Sequence, residues 1–319
     1  MEPSAGVRRL GKQLGNKVMT AKEAVERYVF DGAAIGMGGQ SIGRNSMALA
    51  HEIVRQEKRD LTLVGCNLAL SMDIMVGAGL VKRTESGTGN LERFGATLRW
   101  RKAIEDGSVE VGDYSHLAMA SRFLAGALGV PFMPSKSLLG TDILNKRGRD
   151  DTKPFELVDN PWNPGEPVVL LPACRPDVSI IHVQKADEMG NVIIEGFTTQ
   201  EPEMVRASKA VIVSCEELIS SDEVRRNPDR TTIPYIFVDA VVHQPWGAYP
   251  TSTYKFYEHD DRHLEDYQRC ARTGGDDYRE YVQRFIYDCK NFDEYLEKAA
   301  GLARLEQLRR SMQAVVSRQ

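Results

Sequence analysis

Two stretches of this 319-residue chain carry residue types whose spacing suits chemistry. The first is Gly36-Met37-Gly38-Gly39-Gln40-Ser41-Ile42-Gly43. Glycines placed after an apolar run let backbone amides approach a ligand closely, because no side chain shields them and positive φ costs them little. The run has neither the Gly-Lys-Ser/Thr of a phosphate loop nor the Gly-x-Gly-x-x-Gly of a dinucleotide fingerprint. Taken alone, its glycines fit a tight strand-to-helix turn equally well. The second is His116, which stands just before a helical run. A neutral imidazole donates one hydrogen bond, and with an ordinary pKa of about 6.5 it also takes a proton, so His116 is a candidate hydrogen-bond donor or base.

Other clusters weigh less. Ser86, Thr88 and Asn90 lie in a polar, glycine-containing loop over 85–90 at a predicted strand end and are read as a wall of a binding pocket, with a solvated loop as the equal alternative. Glu216 and Glu217 follow another such run, where the favoured reading is a helix-start carboxylate satisfied by backbone amides. His259 and His263 have His-x-x-x-His spacing, but Asp260 follows the first, so the metalloprotease pattern fails and the charged run reads as solvated surface. The five cysteines are scattered and never form Cys-x-x-Cys, which fits neither a disulfide framework nor a zinc ribbon. No metal site is expected. The turn Trp246-Gly247-Ala248-Tyr249-Pro250 is expected to pack rather than bind.

The elements that position these residues follow from periodicity. Thr20 with Glu23 makes a capping box for a helix over 19–30, and Asp31-Gly32 turns the chain into a strand over 33–37. Helix 46–56, strand 61–65, helix 72–78, strand 81–84 and helices over 94–105 and 117–128 continue the alternation. Residues 148–167 are rich in Pro, Asp and Asn and are expected to form an exposed excursion. Strands over 168–171, 178–184, 192–195 and 210–214 follow, with a helix over 202–208 and a long helical tail over 278–312. Apolar runs between helices predict an α/β fold with an open, mainly parallel sheet covered on both faces and long C-terminal helices. Ligands in such sheets gather at the carboxyl ends of the strands. Residues 1–16 are expected to be an N-terminal arm and 17–319 a single domain.

A net charge of −4 gives no drive toward nucleic acid or an anionic membrane. No apolar run approaches bilayer-spanning length and no signal core opens the chain, so the location expected is cytoplasmic.

The stretch from Asp31 to Gln40 resembles the α-subunit signature of family I coenzyme A-transferases, Asp-Gly, three apolar residues and Gly-Gly-Phe. Asp60-Leu61-Thr62, Gly129-Val130-Pro131, Asp159-Asn160-Pro161, Asp177-Val178-Ser179 and Gly247-Ala248-Tyr249-Pro250 resemble the glutaconate branch in the same order. The resemblance covers about residues 17 to 300. It implies a CoA-transferase-like, NagB-RpiA-like fold, with no permanently bound cofactor and a coenzyme A thioester as substrate. It also implies a β-subunit partner, in a heterodimer that assembles to a heterotetramer or larger. CoA would pass between an acyl-CoA and a carboxylic (dicarboxylic or oxo) acid by ping-pong chemistry through a β-subunit glutamyl-CoA thioester. Gly38, Gly39, Gln40 and Ser41 match the loop bordering that site. Three departures stand out: Gln40 replaces phenylalanine, Asn45-Ser46 replaces a usual proline, and His116 replaces a glutamine whose amide holds the oxyanion. The alternatives are a diverged CoA-thioester hydrolase or carbon-carbon lyase with His116 as base, and a non-catalytic metabolite-sensing domain.

Overall fold

A computed structural model describes residues 15–145 and 154–317. The strands are β1 (Ala34–Met37), β2 (Leu61–Leu68), β3 (Val81–Gly89), β4 (Glu110–Asp113), β5 (Phe132–Ser135), β6 (Glu156–Asn160), β7 (Asn163–Pro172), β8 (Val178–Asp187), β9 (Val192–Ile193), β10 (Ala210–Ile219) and β11 (Ala240–His243). The helices are α1 (Ala21–Tyr28), α2 (Met47–Arg55), α3 (Leu70–Gly77), α4 (Leu98–Glu105), α5 (His116–Leu128), α6 (Glu201–Ala207), α7 (Ser221–Arg226), α8 (Asp261–Thr273), α9 (Gly275–Val282), α10 (Phe292–Ala299) and α11 (Gly301–Val316). The large sheet runs β11-β10-β8-β1-β2-β3-β4 and is parallel along that path, with the short β9 antiparallel on β8. A smaller antiparallel sheet runs β5-β7-β6.

Alternation along the strands builds two cores. Leu63, Ile180 and Ile212 face α1 to α4 and the C-terminal helices, while their neighbours Val64, Ile181 and Val213 face α5 and α6. Side chains of period two in a sheet covered on both faces produce near-continuous apolar runs, which is the pattern the sequence shows. Thr20 caps α1 through the reciprocal bonds with Glu23.

Several expectations need correction. Residues 85–89 are not a loop: β3 continues to Gly89, paired with β2 as far as Leu68↔Gly89. Its polar residues are tolerated there because their side chains find partners, Glu85 pairing with both Arg83 and Arg122. The expected excursion is in part a hairpin, β6 and β7, with Pro161 and Trp162 at its tip; residues 148–153 lie outside the described residues, as do residues 1–14 of the expected arm. Glu216 and Glu217 lie within β10, which stays paired to β8 as far as Ile219↔Asp187. The C-terminal helical tail is broken where Asn291 caps α10 and again at Ala300.

Candidate functional site

The glycine loop leaves the carboxyl end of β1, and a buried ion pair holds its shape. Gly39 has φ +81°, and a Cβ there would sit 2.5 Å from the Arg44 carbonyl oxygen, so only glycine fits. Gln40 and Gly43 exchange backbone bonds of 2.9 and 2.7 Å, which closes the loop. Ser41 and Arg44 adopt φ +48° and +50°, conformations that side-chain-bearing residues keep only when their surroundings impose them. The Arg44 guanidinium supplies that constraint. It pairs with Glu201, at the start of α6, at 2.5 Å and donates to the carbonyls of His182 and Phe197 at 2.9 and 2.8 Å. Glu201 Oε1 also accepts the Gly39 amide at 2.9 Å. Asn45 donates to the Ser41 carbonyl at 2.8 Å and accepts from Ser71 of α3. The departure at Asn45 therefore fastens the back of the loop instead of lining a pocket.

His116 opens α5, capped by Ser115, whose hydroxyl accepts the Ala118 amide. Its Nε2 lies 3.0 Å from Thr88 Oγ1. A Cβ on Gly87 would fall 2.4 Å from His116 Cδ2, so a glycine in β3 makes room for the ring. Cys66 Sγ donates to the His116 carbonyl at 3.6 Å, and burial pushes that thiol up to about 12, which keeps it a neutral wall and not a nucleophile.

Gln40 and His116 line one cavity of about 440 Å³, together with Cys66, Asn67, Leu117, Leu124, Phe197, Thr199 and Glu203. A second cavity of about 270 Å³ lies against Ser41, Gly43, Arg44 and Glu195 and shares Gln40, Phe197 and Thr199 with the first. Gln40 thus lines both. Ser86, Thr88 and Asn90, read from sequence as a pocket wall, line neither cavity. They form a supporting layer: Ser86 bonds the Thr88 carbonyl at 2.5 Å, Thr88 holds His116, and Asn90 accepts from Ser41 at 3.4 Å. Asn67 Nδ2 donates to Ser41 Oγ at 2.6 Å, whereas Asn67 Oδ1 and Thr199 Oγ1 are buried without a partner among the described residues. Arg44, Asn67, Thr199, Glu201 and Glu203 had no sequence signal beyond the glycine loop. Arg44 alone could have been suspected, from a cation immediately after that loop.

The remaining candidates do other work. Glu216 is not at a helix start but in a buried network, accepting from Tyr257 OH at 2.5 Å and the Trp246 amide at 2.7 Å, with His182 Nε2 at 2.6 Å. Asp260 and His263 are buried, not solvated surface: Asp260 accepts from Arg304 and Tyr249, and His263 Nε2 lies 3.0 Å from Tyr281 OH. Trp246 stacks on Tyr257 with ring centroids 4.2 Å apart, so that turn packs as expected.

Comparison with known proteins places these features in context. The coenzyme A transferase family model matches residues 18–244. The chain is 37% identical to the A subunit of glutaconate CoA-transferase from Acidaminococcus fermentans, covering 92% of this chain and 95% of that one. The crystal structure of that enzyme superposes with a TM-score of 0.87. The A subunit of 3-oxoadipate CoA-transferase from Pseudomonas knackmussii is 31% identical over 89% of this chain and 98% of its own. A variant of the decarboxylase AibA/AibB, known from its crystal structure, matches with a TM-score of 0.72 and 31% identity over 84% of this chain and 98% of that one. An uncharacterized protein of Archaeoglobus fulgidus is 38% identical over 94% of this chain, which spans 66% of its length.

Proposed function

The chain belongs to the coenzyme A transferase family, and from that premise we propose that it is the α subunit of an enzyme moving CoA between an acyl-CoA and a carboxylic acid. The observation that carries this reading is the cavity shared by the glycine loop and His116, whose mouth is rimmed by apolar side chains left in solvent. Leu117 and Phe197 are 62% and 70% exposed, and Leu124 and Leu128 continue the stripe along α5. Apolar side chains at helical spacing beside an open site suit a partner subunit that closes it. A β subunit docked there would bring the attacking glutamate to the thioester.

The chemistry then divides between the chains. The glutamate adds to the thioester carbonyl and expels CoA thiolate as an acyl-glutamyl anhydride forms. The thiolate next attacks the glutamyl carbonyl, releasing the acid and leaving a glutamyl-CoA thioester. Each addition passes through a tetrahedral oxyanion that needs a donor, and His116, with its Nε2 held by Thr88 at 3.0 Å, is the α-chain group assigned to it. Gly38 to Ser41 shape the loop beside the acyl carbon, and the Arg44–Glu201 pair keeps that loop in place.

The test is trapping. The co-expressed complex, incubated with acyl-CoA and then hydroxylamine or borohydride, should yield a β-chain glutamate modified in one-to-one ratio with α chain. No modification, and no exchange of acyl groups between acids, would sink the proposal. A second reading is favoured by His116 itself, an ionisable group in the cavity of a chain that resembles a decarboxylase structurally. In that case His116 works as a base and product forms without an acceptor acid.

A further inference from the structure

Resting on the transferase reading, we propose that the substrate portion entering the larger cavity is an uncharged, largely apolar acyl chain with no terminal carboxylate. The walls argue for it by charge. Leu117, Leu124 and Phe197 supply the apolar surface, and beyond His116 the polar groups that reach it, Gln40, Asn67 and Thr199 among them, are neutral amides and hydroxyls with one exception. No Lys or Arg lines the cavity among the described residues. The exception is the carboxylate of Glu203, half-buried on α6, with neither a cation nor a hydrogen-bond donor among the described residues to neutralise it. A second carboxylate arriving on substrate would meet that like charge in a partly desolvated space.

The neighbouring cavity is lined by one cation among the described residues, Arg44, and it is already engaged. Arg44 is locked to Glu201, and Glu92 and Glu195 add carboxylates to that lining, Glu195 meeting Arg230 at 2.6 Å and Lys255 at 3.1 Å, neither of which lines the cavity. Freeing Arg44 would leave a buried carboxylate of this chain unpaired. An acyl group with an apolar, uncharged body matches this lining.

The test compares hexanoyl-CoA, 3-hydroxyhexanoyl-CoA and glutaryl-CoA on the complex that this chain forms with its β subunit. Affinity is measured calorimetrically, and kcat/KM is measured for CoA transfer to acetate. The two uncharged acyl groups should be preferred over glutaryl by roughly tenfold or more. Glu203→Gln should narrow that ratio, and Glu203→Lys should narrow it further or reverse it. Preference for glutaryl in the unaltered complex, or a ratio moved by neither variant, overturns the proposal. If no acyl group is transferred yet the binding order holds, the transferase reading falls and the selectivity stands. If transfer proceeds but favours glutaryl, the selectivity falls and the transferase reading stands.

Discussion

Charge is buried on both sides of the large sheet, and the two sides handle it differently. Beneath the glycine loop, Arg44 meets Glu201 as guanidinium against carboxylate, with every further contact going to backbone: the Gly39 amide and the carbonyls of His182 and Phe197. Under the C-terminal helices, Asp73 and His263 find tyrosine hydroxyls and a backbone amide instead. Burial there drives both groups toward neutrality, Asp73 up to about 6 and His263 down to about 4. An ion pair stands where the backbone must be kept in positive-φ geometry beside a cavity. Neutralised groups stand among the packed helices, where the Asp260–Arg304 pair beside them fastens the cap of α8.

The largest effect that would break this contrast is loss of one partner on the loop side. Arg44→Met should strand the Glu201 carboxylate and lower unfolding stability by about 3 to 5 kcal/mol in urea titration. The double variant Arg44→Met/Glu201→Met should recover much of that stability without recovering activity, because the loop conformation and not the charge is what the site uses. Recovery of both would show that the pair only fills space.

Next in size is the cavity-wall residue that the ion pair does not touch. His116→Ala should lower kcat by ~10²-fold through loss of one oxyanion donor, with little change in KM. His116→Gln separates the two chemistries, since an amide can donate to an oxyanion and cannot accept a proton as a base. Retention of most of the activity supports the donor, and abolition supports the base.

How much of this is legible in the sequence depends on the range of the interaction that fixes each residue. The alternating helices and strands, the capping box at Thr20 and the close approach at Gly38-Gly39 are local, so periodicity and composition find them. Gln40 and His116 do line one cavity, although far apart in the chain, and it is the family resemblance that brings them together in a reading of the sequence. Ser86, Thr88 and Asn90 look like a pocket wall and are a supporting layer, because a polar run after a short strand resembles a loop until its pairing to β2 and β4 is known. Glu201 is invisible for a stronger reason. Its partner is 157 positions away, and a glutamate in the first turn of a helix is ordinary whether or not an arginine is waiting beneath it.

The smallest effect sharpens the packed side. Asp73 has an ordinary value of 3.8, so with a folded value near 6 it holds its proton longer in the native state, and its stabilising contribution is lost as pH rises from 3.8 to 6. His263 runs the other way. Its folded value near 4 lies below the ordinary 6.5, so the unfolded chain binds the proton first and stability falls as pH drops from 6.5 toward 4. His51, wholly buried against Phe292 and Tyr295, is lowered by the same desolvation and adds to the second slope. Between pH 4 and 6, Asp73 therefore offsets part of the histidine slope. Asp73→Asn should steepen the rise of stability with pH by up to about 1.4 kcal/mol per pH unit, and His263→Phe should flatten it by a similar amount. Denaturant midpoints at pH 4, 5 and 6 measure both slopes, and equal slopes in the two variants would mean that neither group titrates where its burial requires.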